Sequence, residues 1–351
     1  MRIYYDPAHA HHHPGTMLSY GIPYASEEVP ERVELIRAGL AQAGFNDLHA
    51  PSDYGLAPLQ AVHTPGFLEF LQRGYVLQRR RTPQAGPLLG ETFAVRPARH
   101  TPRHPSGLAG YYGFGTGSPL DEHTWDAASR AAQCALSAAQ ALLDGQPLAY
   151  ALCRPPGHHA AADLYGGFCY LNNAAIAARR LQQALNRRVA VLDIDYHHGN
   201  GTQEIFYHDP RVLFVSLHAH PDDEYPYYWG GEDETGAGPG LGFNRNFCLP
   251  QGCTDAVYLA ALDRALAHIA AFNPAALVIS LGLDTAEGDP VGGFCISAGG
   301  FQSIGRRIAG LQAQSRTPTG IRPGCLVVQE GGYHMDTLGQ SAAAFFVGLA
   351  G

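Results

Sequence analysis

Arg188-Val189-Ala190-Val191-Leu192-Asp193-Ile194-Asp195-Tyr196-His197-His198-Gly199-Asn200-Gly201 is the stretch whose reading decides the fold. Its first part is a short apolar, β-branched run of the kind that forms a buried strand. Its second part sets carboxylates and an imidazole where that strand passes into a loop. Asp195 and His197 are two positions apart, so the period of a strand aims both side chains the same way. Oxygen and nitrogen donors at that spacing suit a divalent metal such as zinc. Strand ends are also where open α/β sheets keep their sites. The simpler reading is that these residues cap a turn or a following helix, and an isolated Asp-x-His does not decide between the two.

Working outward, similar apolar runs recur at Leu148–Leu152, Val212–Leu217, Leu277–Leu281 and Leu326–Gln329. Helical patterns lie between them at Trp125–Leu143, Leu171–Leu185 and Ala256–Phe272, with Gly145 and Pro274 placed to end the first and third. Strands alternating with helices predict an α/β fold: an open parallel sheet with helices on both faces. The 351 residues are long for one domain, yet no second core is visible, so a single domain spanning 1–351 is expected. One segment, about 78–118, stands apart. It is rich in Pro, Gly and Arg and lacks a strong period, which marks it as a functional insertion. Its aromatics Phe93, Tyr111, Tyr112 and Phe114 argue that part of it packs.

Composition excludes several classes. Charged residues are only 15%, as in compact proteins, and a net charge of -8 without a long basic run disfavours nucleic acid. No 18-residue apolar run offers a membrane span, and no signal-peptide core follows Met1. Seven scattered cysteines without Cys-x-x-Cys fit a reducing cytoplasm better than a disulfide framework.

Three further stretches sit at strand ends. Cys153-Arg154-Pro155-Pro156-Gly157-His158-His159 places two histidines in a turn, as a general acid and base or as a surface pair. Gly282-Leu283-Asp284 offers a third metal ligand or a helix cap. Glu330-Gly331-Gly332-Tyr333 bends freely enough to swing a tyrosine over a site, or is a Gly-rich turn with a packing ring. Parallel strands put all four ends on one rim. Two carboxylates and one histidine, with a position left for water, are the pattern of a catalytic zinc.

These stretches, with Gly167-Phe168-Cys169-Tyr170-Leu171-Asn172-Asn173, resemble the histone deacetylase and acetylpolyamine amidohydrolase family. Tyr5-Asp6-Pro7 and Pro30-Glu31-Arg32 add weaker matches, and Tyr196 to Gln203 is most similar to the acetylpolyamine branch. The resemblance implies an arginase/deacetylase-like fold and a zinc-dependent amide hydrolase that releases acetate from a small N-acetylated amine. It implies Asp195, His197 and Asp284 as metal ligands. His158 and His159 are the tandem histidines, with His159 the base and His158 its electrostatic support or acid. Tyr333 is the oxyanion donor. Asp193 and Asn200 hold the two histidines; many histone deacetylases have an aspartate where Asn200 stands, and a neutral amide leaves His159 less basic. Gly167, Phe168 and Tyr225 are implied as tunnel residues. The backbone around Asp193, Asp195, His197, Ser216 and Leu217 is similar to a monovalent cation site, implying structural K+. Fe2+ or Co2+ suit the same ligands as Zn2+. The insertion at 78–118 is implied to build a homodimer and shape the tunnel.

Specificity reads less simply. Residues 79–103 hold six arginines and one acid, Glu91, and a basic lip would repel a polyamine's distant ammonium. Asp222, Asp223 and Glu224 offer an acidic patch instead. Acetyl-lysine peptides and other N-acyl amines are alternative substrates. A binuclear arginase-type ureohydrolase is a further alternative, although Asp195-Tyr196-His197-His198-Gly199 has no acid at its third place. A non-catalytic protein that binds acylated amines is the remaining one.

Overall fold

The computed structural model describes residues 1–13, 15–19, 22–94, 98, 100–314 and 324–351. The strands are β1 (Arg2–Tyr4), β2 (Thr16–Ser19), β3 (Ile22–Ala25), β4 (Leu48–His49), β5 (Leu148–Ala151), β6 (Val189–Asp193), β7 (Val212–Ala219), β8 (Asn244–Leu249), β9 (Ala276–Leu281) and β10 (Gly324–Gln329). The α-helices are α1 (Glu31–Gln42), α2 (Ala57–Gln60), α3 (Pro65–Arg81), α4 (Pro105–Tyr112), α5 (Thr124–Leu143), α6 (Asn173–Leu185), α7 (Asn200–Phe206), α8 (Asp255–Phe272), α9 (Ala298–Gln314) and α10 (Leu338–Ala350).

Eight strands form one sheet in the order β4-β1-β5-β10-β9-β6-β7-β8, parallel at every pairing. β2 and β3 form a separate antiparallel hairpin. The central strands are buried on both faces, which is why they read as continuous apolar runs. The period of two still assigns their sides. Val189, Val191, Val278 and Val328 pack with α3, α5 and α6 in one core. Ala190, Leu192, Ile279 and Val327 pack with α1, α8, α9 and α10 in the other. This is the expected single α/β unit, helices on both faces.

The helix ends follow local chemistry. Gly145 takes φ +93 just past α5, and Asn273 takes a left-handed conformation at the end of α8, immediately before Pro274. The Asn172 side chain caps α6 by accepting from the Ala175 N–H at 2.8 Å.

The 78–118 segment, which shows no strong period in sequence, holds regular structure among its described residues. It takes in the last turn of α3 and all of α4. α4 is only eight residues, too short for a helical period to stand out. Tyr112 stacks on Phe70 at 5.3 Å, so α4 is fixed to the core by an aromatic contact.

Candidate active site

Four strands deliver the candidate site residues to the carboxyl edge of the sheet. β6 leads into Asp195 and His197, β9 into Asp284, β5 into His158 and His159, and β10 into Tyr333. The ligating atoms of Asp195, His197 and Asp284 lie within 4.8 Å of one another, and all three residues are buried. His197 Nδ1 stands 3.3 Å from both Asp195 Oδ1 and Asp284 Oδ2. Such crowding requires glycine nearby, since a Cβ on Gly331 or Gly282 would collide with these carboxylates. The Gly331 N–H instead donates to Asp195 Oδ2 at 2.9 Å, and the Tyr196 N–H donates to Asp284 Oδ1 at 3.0 Å.

Asp284 Oδ2 is buried without a hydrogen-bond donor among the described residues. Burial and the charge of Asp195 push the Asp284 carboxyl up to about 7. Two carboxylates this close in a dry site repel each other unless a cation joins them. An orphaned carboxylate oxygen beside a second carboxylate and an imidazole is a donor set that fits a divalent ion such as zinc.

The tandem histidines lie with ring centroids 4.0 Å apart, in opposite environments. His158 Nδ1 is 3.0 Å from Asp193 Oδ2, and His159 Nδ1 is 2.7 Å from Asn200 Oδ1. Burial disfavours charge on both rings. At His158 the carboxylates of Asp195 and Asp193 outweigh it and raise the pKa to about 10. At His159 burial, reinforced by His158 and His197, holds the pKa well below the ordinary value, and the Asn200 amide opposes it only in part. Adjacent groups pushed apart in this way can serve as acid and base.

Further supports come from residues to which the sequence reading assigned no such role: Glu330 and Arg32, present in its motifs, and Asp289, absent from them. The Glu330 carboxylate accepts from the N–H groups of Gly157 (2.6 Å) and His158 (3.1 Å), fixing the histidine turn. Asp289 Oδ2 accepts from the N–H groups of Tyr333 (2.7 Å) and His334 (2.9 Å). Asp289 Oδ1 accepts from the Val291 N–H at 2.9 Å. Arg32 lies over the Tyr333 ring at 4.3 Å and donates to the Gly332 carbonyl at 2.6 Å. Burial holds the Tyr333 phenol well above its usual pKa, so it remains a hydrogen-bond donor. Asp289-Pro290 is a turn signal that marks a local backbone acceptor; nothing in the linear chain ties it to Tyr333.

One cavity of about 400 Å³ collects His158, His159, Asp195, His197, Asp284 and Tyr333, with Gly167, Phe168 and Tyr225 in its lining. Asp193 and Asn200 stand behind the histidines. Ser216 and Leu217 lie on β7, where Ser216 pairs in register with Asp193; the Ser216 hydroxyl is 2.8 Å from His218 Nδ1.

The described arginines of the basic segment are not part of this cavity's lining. Among the described residues no arginine or lysine lines it. Arg79, Arg80 and Arg81 are exposed on the last turn of α3, Arg103 is exposed as well, and Arg96 and Arg99 lie outside the described residues. The acidic patch also divides: Asp222 and Asp223 face solvent, while Glu224 lines the cavity. The insertion contributes Gly115, Thr116 and Gly117 to the lining.

Comparison with known proteins places the chain in a family. Residues 26–349 match the family described as the histone deacetylase domain. The chain is 43% identical to an acetylpolyamine amidohydrolase of Burkholderia pseudomallei, covering 99% of this chain and 98% of the relative. It is 38% identical to an acetylpolyamine amidohydrolase of Mycoplana ramosa over the full length of both. A crystal structure of an acetylpolyamine aminohydrolase from Burkholderia pseudomallei superimposes with a TM-score of 0.92 at 42% identity, covering 100% of this chain and 98% of that one. The chain belongs to the histone deacetylase family.

Proposed function

We propose that this protein is a metal-dependent amide hydrolase that removes the acetyl group from small N-acetylated amines, acetylated polyamines among them. The observation that carries the reading is the single cavity that joins an Asp-His-Asp cluster, a split histidine pair and a buried tyrosine. Membership of the family makes the chain an amide hydrolase, and its near full-length relatives are named for acetylpolyamines. Glu224 supports a cationic substrate, because it brings a carboxylate to a cavity lined by no described arginine or lysine.

Asp195, His197 and Asp284 would hold Zn2+, with Fe2+ or Co2+ suited to the same ligands. The bound ion supplies a Lewis acid that acidifies water and polarises the acyl carbonyl. His159, neutral and steered by Asn200, takes the proton of the attacking water. The Tyr333 hydroxyl donates to the acyl oxygen as negative charge develops there. His158, held positive by Asp193 and Asp195, stabilises that charge, and the histidine pair returns a proton to the nitrogen as the C–N bond breaks. The products are acetate and a free amine. The backbone of Asp193, Asp195, His197, Ser216 and Leu217 is the proposed K+ site. Residues 78–118 narrow the tunnel and pair two copies of the chain into a homodimer. No helix among the described residues is long and apolar enough to cross a membrane; seven scattered cysteines without Cys-x-x-Cys fit work in a reducing cytoplasm.

Acetate release from acetylputrescine, acetylcadaverine, acetylspermidine and an acetyl-lysine peptide, with zinc supplied, tests the reading. The small amines should be cleaved much faster than the peptide. No release from any of them would overturn the reaction, and equal rates on peptide and small amines would overturn the narrowed tunnel.

A further inference from the structure

We propose that His11, His13 and His123 form a second metal site, on the protein surface, that takes a divalent transition-metal ion such as Zn2+ or Ni2+ through imidazole nitrogens. The inference does not depend on the amide-hydrolase reading. Along His9-Ala10-His11-His12-His13 the rings divide: His9 and His12 are buried, whereas His11 and His13 are exposed. The buried pair anchors the stretch. The Arg154 guanidinium donates to the His9 carbonyl at 2.6 Å and to the His12 carbonyl at 2.9 Å. The His12 ring meets Tyr170 edge-on at 5.4 Å. His12 is extended, at φ -79 and ψ 116, so His11 and His13 on either side of it share one face.

The third ring comes from the residue before α5. Asp121 accepts the His13 N–H through Oδ2 at 3.3 Å and the His123 N–H through Oδ1 at 2.8 Å. One carboxylate thus ties together the two backbones that carry the exposed rings. The His11 and His123 ring centroids are 5.5 Å apart. Zinc–nitrogen bonds of about 2.0–2.1 Å at a tetrahedral angle would set two ligating imidazole centroids roughly 5 Å apart. The Glu122 carboxylate, 3.7 Å from His123 Nε2, adds negative charge beside the rings.

Imidazole nitrogens suit Zn2+, Ni2+ and Cu2+, whereas Mg2+ and Ca2+ prefer oxygen. Three imidazoles and a water complete a tetrahedral set. The catalytic cluster is tighter. Its ligand atoms already lie within 4.8 Å of one another and include two carboxylates, while the surface rings reach an ion by turning about exposed bonds. Zinc therefore fills the catalytic cluster first. None of the three surface histidines lines the catalytic cavity.

The untagged Asp195→Ala chain, which lacks the catalytic ligand set, should be titrated calorimetrically with Zn2+, Ni2+ and Mg2+. Binding of one Zn2+ or Ni2+ per chain is expected, and none of Mg2+. His11→Ala, His13→Ala and His123→Ala should each weaken it by about tenfold or more, at least the cost of losing a ligand's own support. His220→Ala, an exposed histidine of another loop, should leave it unchanged. If Asp195→Ala does not fold, wild type already holding one equivalent of zinc gives the same reading as a weaker second phase. Because the three rings are exposed, replacing all of them should not lower the metal-free thermal midpoint. No binding beyond the catalytic ion, or binding that survives replacement of all three histidines, would overturn the site. Neither outcome bears on the hydrolase reading, which acetate release tests separately.

Discussion

The floor and the mouth of the cavity are built differently. The floor consists of residues just beyond four adjacent parallel strands, all buried, held by backbone, carboxylate or, at His159, side-chain amide partners. The mouth is made from loops and short elements: the β2–β3 hairpin through Tyr24, the 115–117 turn of the insertion, and the Glu224–Tyr227 loop. Tyr227 is 48% exposed, whereas Asp195 and Asp284 are 0% exposed. The contrast teaches that reaction class and substrate choice are separate properties here. On the proposed reading, the first is set by the buried strand-end residues and the second by loops laid over them.

If that division holds, changes on the floor should alter turnover for every substrate, and changes at the mouth should alter the ranking of substrates. The largest effect among single replacements is expected for Tyr333→Phe. It should lower kcat by about a hundredfold or more, as loss of an oxyanion donor does, with similar factors across a panel of acetylated amines. A loss confined to one substrate would blur the division.

Asp289→Ala tests whether the floor is held from behind. This carboxylate touches backbone rather than the cavity, taking the N–H groups of Tyr333, His334 and Val291. Its loss should misplace the phenol and lower kcat by roughly tenfold or more, with KM little changed. A change in KM alone would place Asp289 with the mouth.

The smallest effect is expected at the mouth itself. Glu224 is half-buried, and its carboxylate accepts the Tyr196 hydroxyl at 3.0 Å. Glu224→Gln should raise KM for cationic substrates by about three- to tenfold and leave neutral acetylamides unaffected, with a difference that shrinks in high salt. Equal changes for charged and neutral substrates would remove Glu224 from cation recognition.

The same division explains what could be read from the chain. Val189–Leu192, Leu277–Leu281 and Leu326–Gln329 announce themselves because strands buried on both faces must be apolar throughout. The reactive residues follow them directly, so motif and element reinforce each other. β1, β4 and the eight-residue α4 are too short to carry a period. The arginine-rich segment is harder to read for a related reason: charge along a sequence does not say which side chains meet a cavity, and Arg79, Arg80, Arg81 and Arg103 are exposed and outside its lining. Asp289 and Glu330 act across 44 and 173 residues, on Tyr333 and Gly157 respectively, through side-chain-to-backbone bonds that leave no local pattern.

The most direct test of the account is a metal titration of the full chain, stripped by chelation and refilled with zinc. Bound metal would be measured by elemental analysis and acetate release from acetylputrescine followed in the same samples. The account predicts one catalytic divalent ion per chain and activity that rises in proportion to occupancy, with neither seen in Asp195→Ala. Two catalytic ions per chain, or acetate release that does not depend on metal, would contradict it.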